Sequence, residues 1–450
     1  MKKFFLLSFI LILAISVSIS AQVTLDGTVS SNSDNNVSSV GISHTTGTGT
    51  NRLMLVGISW NCGTTNRTIS SVTFTPNGGS ATGLTEVITQ FGYNTSNPRY
   101  SAIYRLLNPP SGQLGTVTVT FSGSVTNGIV AGVANFAGVD QTTPLGTPNG
   151  TGTDAQDDAP SVTLTGLTGD ELVFDNVFMG ASDVNQTLTL GPGQTQLWTD
   201  WISNTRASSS TEQAAGSSVT MSWTAASVAR WAIAAVPINP AFVNVNAKVF
   251  LEGPYAGSST MNTSLTVPTT DPYSLGETVG SIPSGVVDWV KVELRSELTP
   301  GVVAATRVGF LKSDGSIVEP NGTSPLKLYG VTDGNYYIVI KHRNHLAVMS
   351  HDPVALSSSS SPLYDFTTGS GQFYGTTAGA KDLGSGVWGM IAGDGNGNGQ
   401  IQNNDSENIW KPDNGTSGYK NADYNLNGQV QNNDNENYWK VNNGKGSQVP

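Results

Sequence analysis

The chain has 450 residues, a formal net charge of −11, 12% charged residues, 52 glycines and one cysteine. That length exceeds what one hydrophobic core usually serves, and 37% hydrophobic with 8% aromatic residues argues against wholesale disorder. An acidic balance without a basic run argues against nucleic acid or an anionic membrane as partner, and a single thiol rules out an internal disulfide.

Charged residues reach about half the usual ~25%. Ser, Thr, Asn and Gly fill the gap, which favours strands and turns over helices. At the N-terminus, Lys2 and Lys3 precede an apolar run from Phe4 to Val17, and Ile19-Ser20-Ala21 offers a cleavage site before Gln22. This is the pattern of a bacterial secretory signal peptide over 1–21. The run is short for a membrane span and no second long one follows. The mature chain is therefore expected to be secreted, free or at the cell surface, with no membrane span after cleavage.

From 22 to about 240, short strands alternate with Gly, Asn, Ser and Pro. Val117, Val119 and Phe121 alternate with Thr116, Thr118 and Thr120, the period of a half-buried strand. Leu53 to Trp60 and Glu171 to Met179 are apolar on both faces, as central strands are. Further strands are expected near Tyr100 to Leu106, Ile129 to Phe136, Ser218 to Trp223 and Arg230 to Val236. About ten such strands without a helical period predict a mainly β fold, here a jelly-roll or β-sandwich domain. Cys62 is expected as a loop or half-buried thiol, with no nearby His to activate it. Trp198 and Trp201 flank Asp200 in an expected loop. They are anchors or, alternatively, a sugar-stacking ligand face.

Pro237-Ile238-Asn239-Pro240 marks a boundary, and 241–357 predicts a second, smaller sandwich, immunoglobulin-like or prealbumin-like. Val290, Val292 and Leu294 share one face, with Lys291, Glu293 and Arg295 on the other. Glu293 and Arg295 are expected as a surface ion pair. Asp314-Gly315 and Asp333-Gly334 are hairpin signals. His342 and His345 form an H-x-x-H, but three apart at a strand end they are expected on opposite faces, as structural histidines rather than zinc ligands. The serine run 357–361 opens a linker with connecting strands over 358–393.

The last segment, 394–450, carries a duplicated motif. Asp394-Gly395-Asn396-Gly397-Asn398-Gly399-Gln400-Ile401-Gln402-Asn403-Asn404-Asp405 recurs 29 residues later, from Asp423 to Asp434. Both copies read D-x-N-x-N-G-x-[IV]-x-x-x-D and continue with Glu-Asn-x-Trp-Lys. Calcium takes six to eight oxygens, and such a loop aims side chains 1, 3 and 5 inward, uses the position-7 carbonyl and closes at position 12. The expected ligands are Asp394, Asn396, Asn398, Gln400 (carbonyl), Gln402 (direct or through water) and Asp405. In the second copy they are Asp423, Asn425, Asn427, Gln429, Gln431 and Asp434. Two calcium ions are expected, and two carboxylates per loop suit weak binding, on the order of 10⁻⁴ M.

Three resemblances follow from these phrases. The duplicated loop resembles the dockerin module, a pair of calcium loops each followed by a short helix, although position 5 is Asn rather than Asp. That resemblance implies partner recognition around Asn403-Asn404 and Asn432-Asn433. His44-Thr45-Thr46, Asn51-Arg52-Leu53, Tyr104 to Pro110, Phe136 to Asp140 and Ser222-Trp223 resemble an uncharacterised β-sandwich domain of secreted bacterial proteins. Val287-Asp288-Trp289-Val290 and His342-Arg343-Asn344-His345-Leu346 resemble a C-terminal module of secreted Bacteroidota-type proteins. No nucleophile elbow, phosphate loop or His-containing triad is present. The expected function is thus non-catalytic: a calcium-binding protein of cell-surface adhesion or extracellular, even filament-forming, assembly. It would meet another extracellular protein or copies of itself through the C-terminal module or strand edges. The alternatives are a carbohydrate-binding accessory protein, with glycans as partner, and a glycoside hydrolase or other hydrolase with unmarked carboxylates.

Overall fold

A computed structural model describes residues 23–93, 97–181, 184–323 and 325–450. The expected signal peptide, 1–21, lies outside the described residues. Among them, the protein is mainly β, built from sheets that are antiparallel except where Phe242–Lys248 pairs in parallel with Leu363–Asp365, with short helical turns near the C-terminus.

The stretch 24–238 forms four sheets rather than two. A six-stranded sheet runs in the order Thr24–Leu25, Ile129–Ala137, Leu53–Asn61, Arg99–Leu107, Thr85–Tyr93, with Ser30–Asp34 also on Ile129–Ala137. Its face bearing Met54, Val56, Ile58 and Trp60 packs on a four-stranded sheet through Val72, Phe74, Val117 and Val119. Residues 149–238 repeat the arrangement. The five-stranded sheet Asn149–Asp157, Ala229–Ile238, Leu172–Gly180, Thr205–Gln213, Thr195–Ile202 covers a three-stranded one across Val177, Met221, Trp223 and Ile233.

The two larger sheets then meet back to back. Leu53, Leu55, Ile103 and Phe136 from one pack on Phe174, Trp198, Val236 and Ile238 from the other. This third core explains why Leu53–Asn61 is buried along its whole length. Alternate side chains serve two different cores. A polar seam crosses the same junction, where Asn176 Nδ2 donates to Ser101 Oγ (2.8 Å) and Ser59 Oγ (3.1 Å).

Trp198 closes this junction and lies in a strand, not a loop. Its indole fills the space over two glycines: a Cβ on Gly132 would sit 2.2 Å from the ring and one on Gly57 2.9 Å from it. Trp201, on the same strand, is only half-buried. In a strand, residues three apart point to opposite faces. The pair therefore forms no shared ligand platform. Cys62 is likewise buried, 1% exposed, beneath the first core rather than in an open loop.

From 242 onward a second architecture begins. A six-stranded sheet contains Val286–Ser296 at its centre, between Val303–Lys312 and Gly334–His342. It packs on the three-stranded sheet Leu326–Tyr329, Phe242–Lys248, Leu363–Asp365, over a core that includes Trp289, Val292, Phe310 and Ile340. Asp314-Gly315 turns a hairpin between Val303–Lys312 and Ile317–Val318 as expected. Asp333-Gly334 does not: the strands on either side belong to different sheets, so it is a crossing between layers. The serine run is tied down, with Asn244 donating to the Ser357 and Ser358 carbonyls (3.0 and 2.7 Å).

Glu293 and Arg295 are not on the surface. They are 4% and 6% exposed and pair at 2.7 Å, and Lys341 Nζ lies 2.8 Å from the same carboxylate. The strand face that alternation assigns to solvent is covered by a hairpin and by the chain's own end, with Arg295 Nη1 donating to the Gly301 carbonyl (3.0 Å) and Pro450 oxygen (3.5 Å).

Candidate metal centre

The two copies of the C-terminal motif fold alike. Gly399 and Gly428, at position 6, both have φ of 82°, a left-handed turn that favours glycine. The turn folds each loop back over its first carboxylate. Asn398 and Gly399 donate backbone N–H groups to Asp394 Oδ1 and Oδ2 (3.1 and 2.9 Å), and Asn427 and Gly428 do the same for Asp423 (3.1 and 2.8 Å). The closing carboxylates are held from the opposite side. Asn396 and Gln402 N–H groups donate to Asp405 (3.1 and 2.8 Å), Asn425 and Gln431 to Asp434 (3.1 and 2.9 Å). Asn396 Oδ1 and Asn398 Oδ1 accept from Asn398 and Gln400 N–H (3.0 and 2.9 Å), matched by Asn425 and Asn427 (3.0 and 2.8 Å).

Each loop thus buries two carboxylates, while the asparagine amide oxygens brace the turn from its more exposed side. Asp405, Asp423 and Asp434 are fully buried and Asp394 is 3% exposed. The ion pairs of this segment are Glu407–Lys411, Asp413–Lys420 and Glu436–Lys440, none of them on these four groups. Backbone donors occupy two of the roughly four acceptor positions of each carboxylate. Burial therefore raises the proton affinity of Asp394 to a pKa of about 6, with Asp405 adding to it, and of Asp434 to about 6. Asp423 is raised by burial as well. Paired, buried, under-compensated carboxylates suit a hard divalent cation. Among the described residues no three His, Cys, Asp or Glu side chains converge as a ligand set; each loop supplies two carboxylates.

Ile401 and Val430, at position 8, are fully buried, and Ile401 packs with Leu346, Ile391 and Trp439. Leu426 inserts into the core of the preceding sheets, so the second loop is anchored there. The Gln402 and Gln431 side chains are exposed; their peptides face the closing carboxylates.

The attachment of the loops was not legible in the sequence. The phrases Val287-Asp288-Trp289-Val290 and His342-Arg343-Asn344-His345 meet in one buried cluster. Asp288 accepts from His342 Nε2 (3.1 Å), Arg343 Nε (2.9 Å) and Tyr419 OH (2.6 Å). Burial opposes its charge, but Arg343 and His342 outweigh it and hold the carboxyl at about 2. His342 and His345 face each other across a two-residue hairpin, with ring centroids 4.9 Å apart, instead of lying on opposite faces. His345 Nε2 accepts from Gly253 N–H (3.2 Å), so its Nδ1 carries the proton and donates to Asn344 Oδ1 (2.8 Å). Burial lowers the proton affinity of both rings. Their nitrogens are committed to this network, as structural histidines are.

Asn344 reaches both loops. Its Nδ2 donates to the Asp423 and Asn421 carbonyls (2.7 and 3.0 Å), and its own carbonyl accepts from Gly393 N–H (3.1 Å). Glu252 serves the first loop, accepting from Ala392 N–H (2.9 Å) and Asn442 Nδ2 (2.7 Å).

Elsewhere, a cavity of about 340 Å³ lies between the second and third sets of sheets, lined in part by Asp170, Glu277, Arg307, Glu319, Lys327 and Tyr329. Arg307 sits 3.1 Å from Glu319 and 3.8 Å from Asp170. Burial raises all three carboxyls. Among the described residues no helix is long and apolar enough to cross a membrane. Compared with family models, curated proteins and solved structures, the chain finds no match.

Proposed function

We propose that this protein is a secreted, non-catalytic, calcium-binding modular β protein of cell-surface adhesion or extracellular assembly. The reading combines jelly-roll-like sandwiches, an immunoglobulin-like or prealbumin-like third part and a dockerin-like pair of calcium loops at the end. The observation that carries it is the pair of superimposable hydrogen-bond patterns around Asp394/Asp405 and Asp423/Asp434. Asn396, Asn398, Asn425 and Asn427, with the Gln400 and Gln429 carbonyls, are the further oxygens that would hold the two ions. Calcium there would neutralise carboxylates that repel each other without it. The contacts of Asn344, Glu252 and Leu426 hold those loops against packed sheets, an arrangement suited to display and assembly. Trp198 in the core takes support away from a glycan site on that strand.

The test is binding of the signal-cleaved chain to cells, to itself and to a glycan array, with calcium and with chelator. Calcium-dependent cell or self binding without polysaccharide or peptide turnover is the expected result. A second reading, a hydrolase, draws on the cavity around Asp170, Glu277 and Glu319. Turnover abolished by Glu277→Gln would establish it in place of the first.

A further inference from the structure

The two loops are interlocked rather than merely adjacent. Each closing carboxylate lies in the first turn of a short helix that carries the tryptophan of its own repeat: Asp405–Trp410 continuing into Lys411–Asp413, and Asn432–Asp434 continuing through Asn435–Trp439 into Lys440–Asn442. Each indole then crosses to the opposite loop. Trp410 Nε1 donates to the Gln431 carbonyl (3.0 Å), and Trp439 Nε1 to the Gln402 carbonyl (2.8 Å). The peptide N–H groups of those same two residues donate to the closing carboxylates Asp434 (2.9 Å) and Asp405 (2.8 Å).

The chain after each helix crosses in the same sense. Gly415 N–H donates to the Val430 carbonyl (2.8 Å) and Val430 N–H to the Thr416 carbonyl (2.9 Å). Gly444 N–H donates to Ile401 (2.9 Å), and Ile401 N–H to Lys445 (2.9 Å). Helix one therefore ends on loop two, and helix two ends on loop one.

The geometry points to Trp410 and Trp439 as positioning residues for calcium, each acting on the loop of the other repeat. The proposal rests on the calcium reading above. The indole fixes the residue at position 9, whose N–H in turn fixes the closing carboxylate. Losing the indole donor frees that residue to swing, and the carboxylate loses its aim. One net hydrogen bond corresponds to roughly a three- to tenfold change in an equilibrium constant.

The cross-assignment can be read by calorimetric calcium titration of single-loop backgrounds in the full chain. Asp394→Ala leaves loop two, and Asp423→Ala leaves loop one. Trp410→Phe is expected to weaken calcium binding about three- to tenfold in the Asp394→Ala background and by a clearly smaller factor in the Asp423→Ala background. Trp439→Phe is expected to show the reverse. A purely structural tryptophan would weaken both backgrounds alike, and a tryptophan serving its own loop would invert the pattern; either result overturns the proposal while leaving the calcium reading in place. Absence of calcium uptake by the unsubstituted chain would overturn the reading itself. Phenylalanine keeps the aromatic packing, and thermal melting of each background with and without the Phe substitution separates a folding loss from a binding loss.

Discussion

His44 shows what burial does to a single side chain. It is 1% exposed, with Ser30 Oγ at 3.0 Å from one ring nitrogen and Asn135 on the other. Burial lowers its pKa to about 4, against a smaller raising effect of Asn135. A base whose folded pKa is depressed takes up its proton more readily when unfolded. Its contribution is therefore complete above about 6.5 and is lost as pH falls toward 4, by an amount on the order of 2–3 kcal/mol. Asp175 pulls the other way: burial raises it to about 7, despite donors from Trp223 and Ser210, so it favours the folded state at low pH. The difference between wild type and His44→Gln, measured by denaturant unfolding at pH 7 and pH 4.5, isolates the histidine. The wild type is expected to lose stability relative to the variant on acidification; parallel curves would show that the ring is not held neutral.

At the scale of elements, strand periodicity exposed some faces and hid others. Val290, Val292 and Leu294 are buried together, as their alternation implies. Leu53–Asn61 and Leu172–Gly180, apolar on both faces, are indeed covered on both sides. What alternation does not encode is the partner: one face of each packs on its own outer sheet, the other on the second larger sheet. Glu293 and Arg295 differ from expectation for a related reason, because the turn that follows their own strand and the distant Pro450 cover a face that reads as solvent-exposed. The turn at Arg343-Asn344 carries no glycine and only Asn344 as a local turn signal, so alternation alone puts His342 and His345 apart. The close approach of the two larger sheets rests on Gly132 lying under Trp198. Gly132→Ala is expected to destabilise the 23–240 region by about 1–3 kcal/mol through overpacking, as read by urea denaturation of the full chain. Trp198→Ala is the reciprocal cavity variant, expected to lose about 3–5 kcal/mol. An unaltered unfolding midpoint in both would contradict the back-to-back packing.

For the molecule as a whole, spacing alone located both C-terminal loops and the four aspartates buried in them. It did not show that they are docked. Asn344, Glu252 and the Asp288 cluster with Tyr419 are scattered between positions 252 and 419 and are joined only by folding, which packs the terminal segment on the third set of sheets. Calcium binding there would act on that combined body, since an ion that binds only the folded state stabilises it by mass action. The most direct measurement is isothermal calcium titration of the signal-cleaved chain beside Asp394→Ala and the double variant Asp394→Ala/Asp423→Ala. Two ions per wild-type chain, one in the single variant and none in the double variant are expected. No uptake by the wild type, or two ions still bound by the double variant, would contradict the assignment of calcium to these loops.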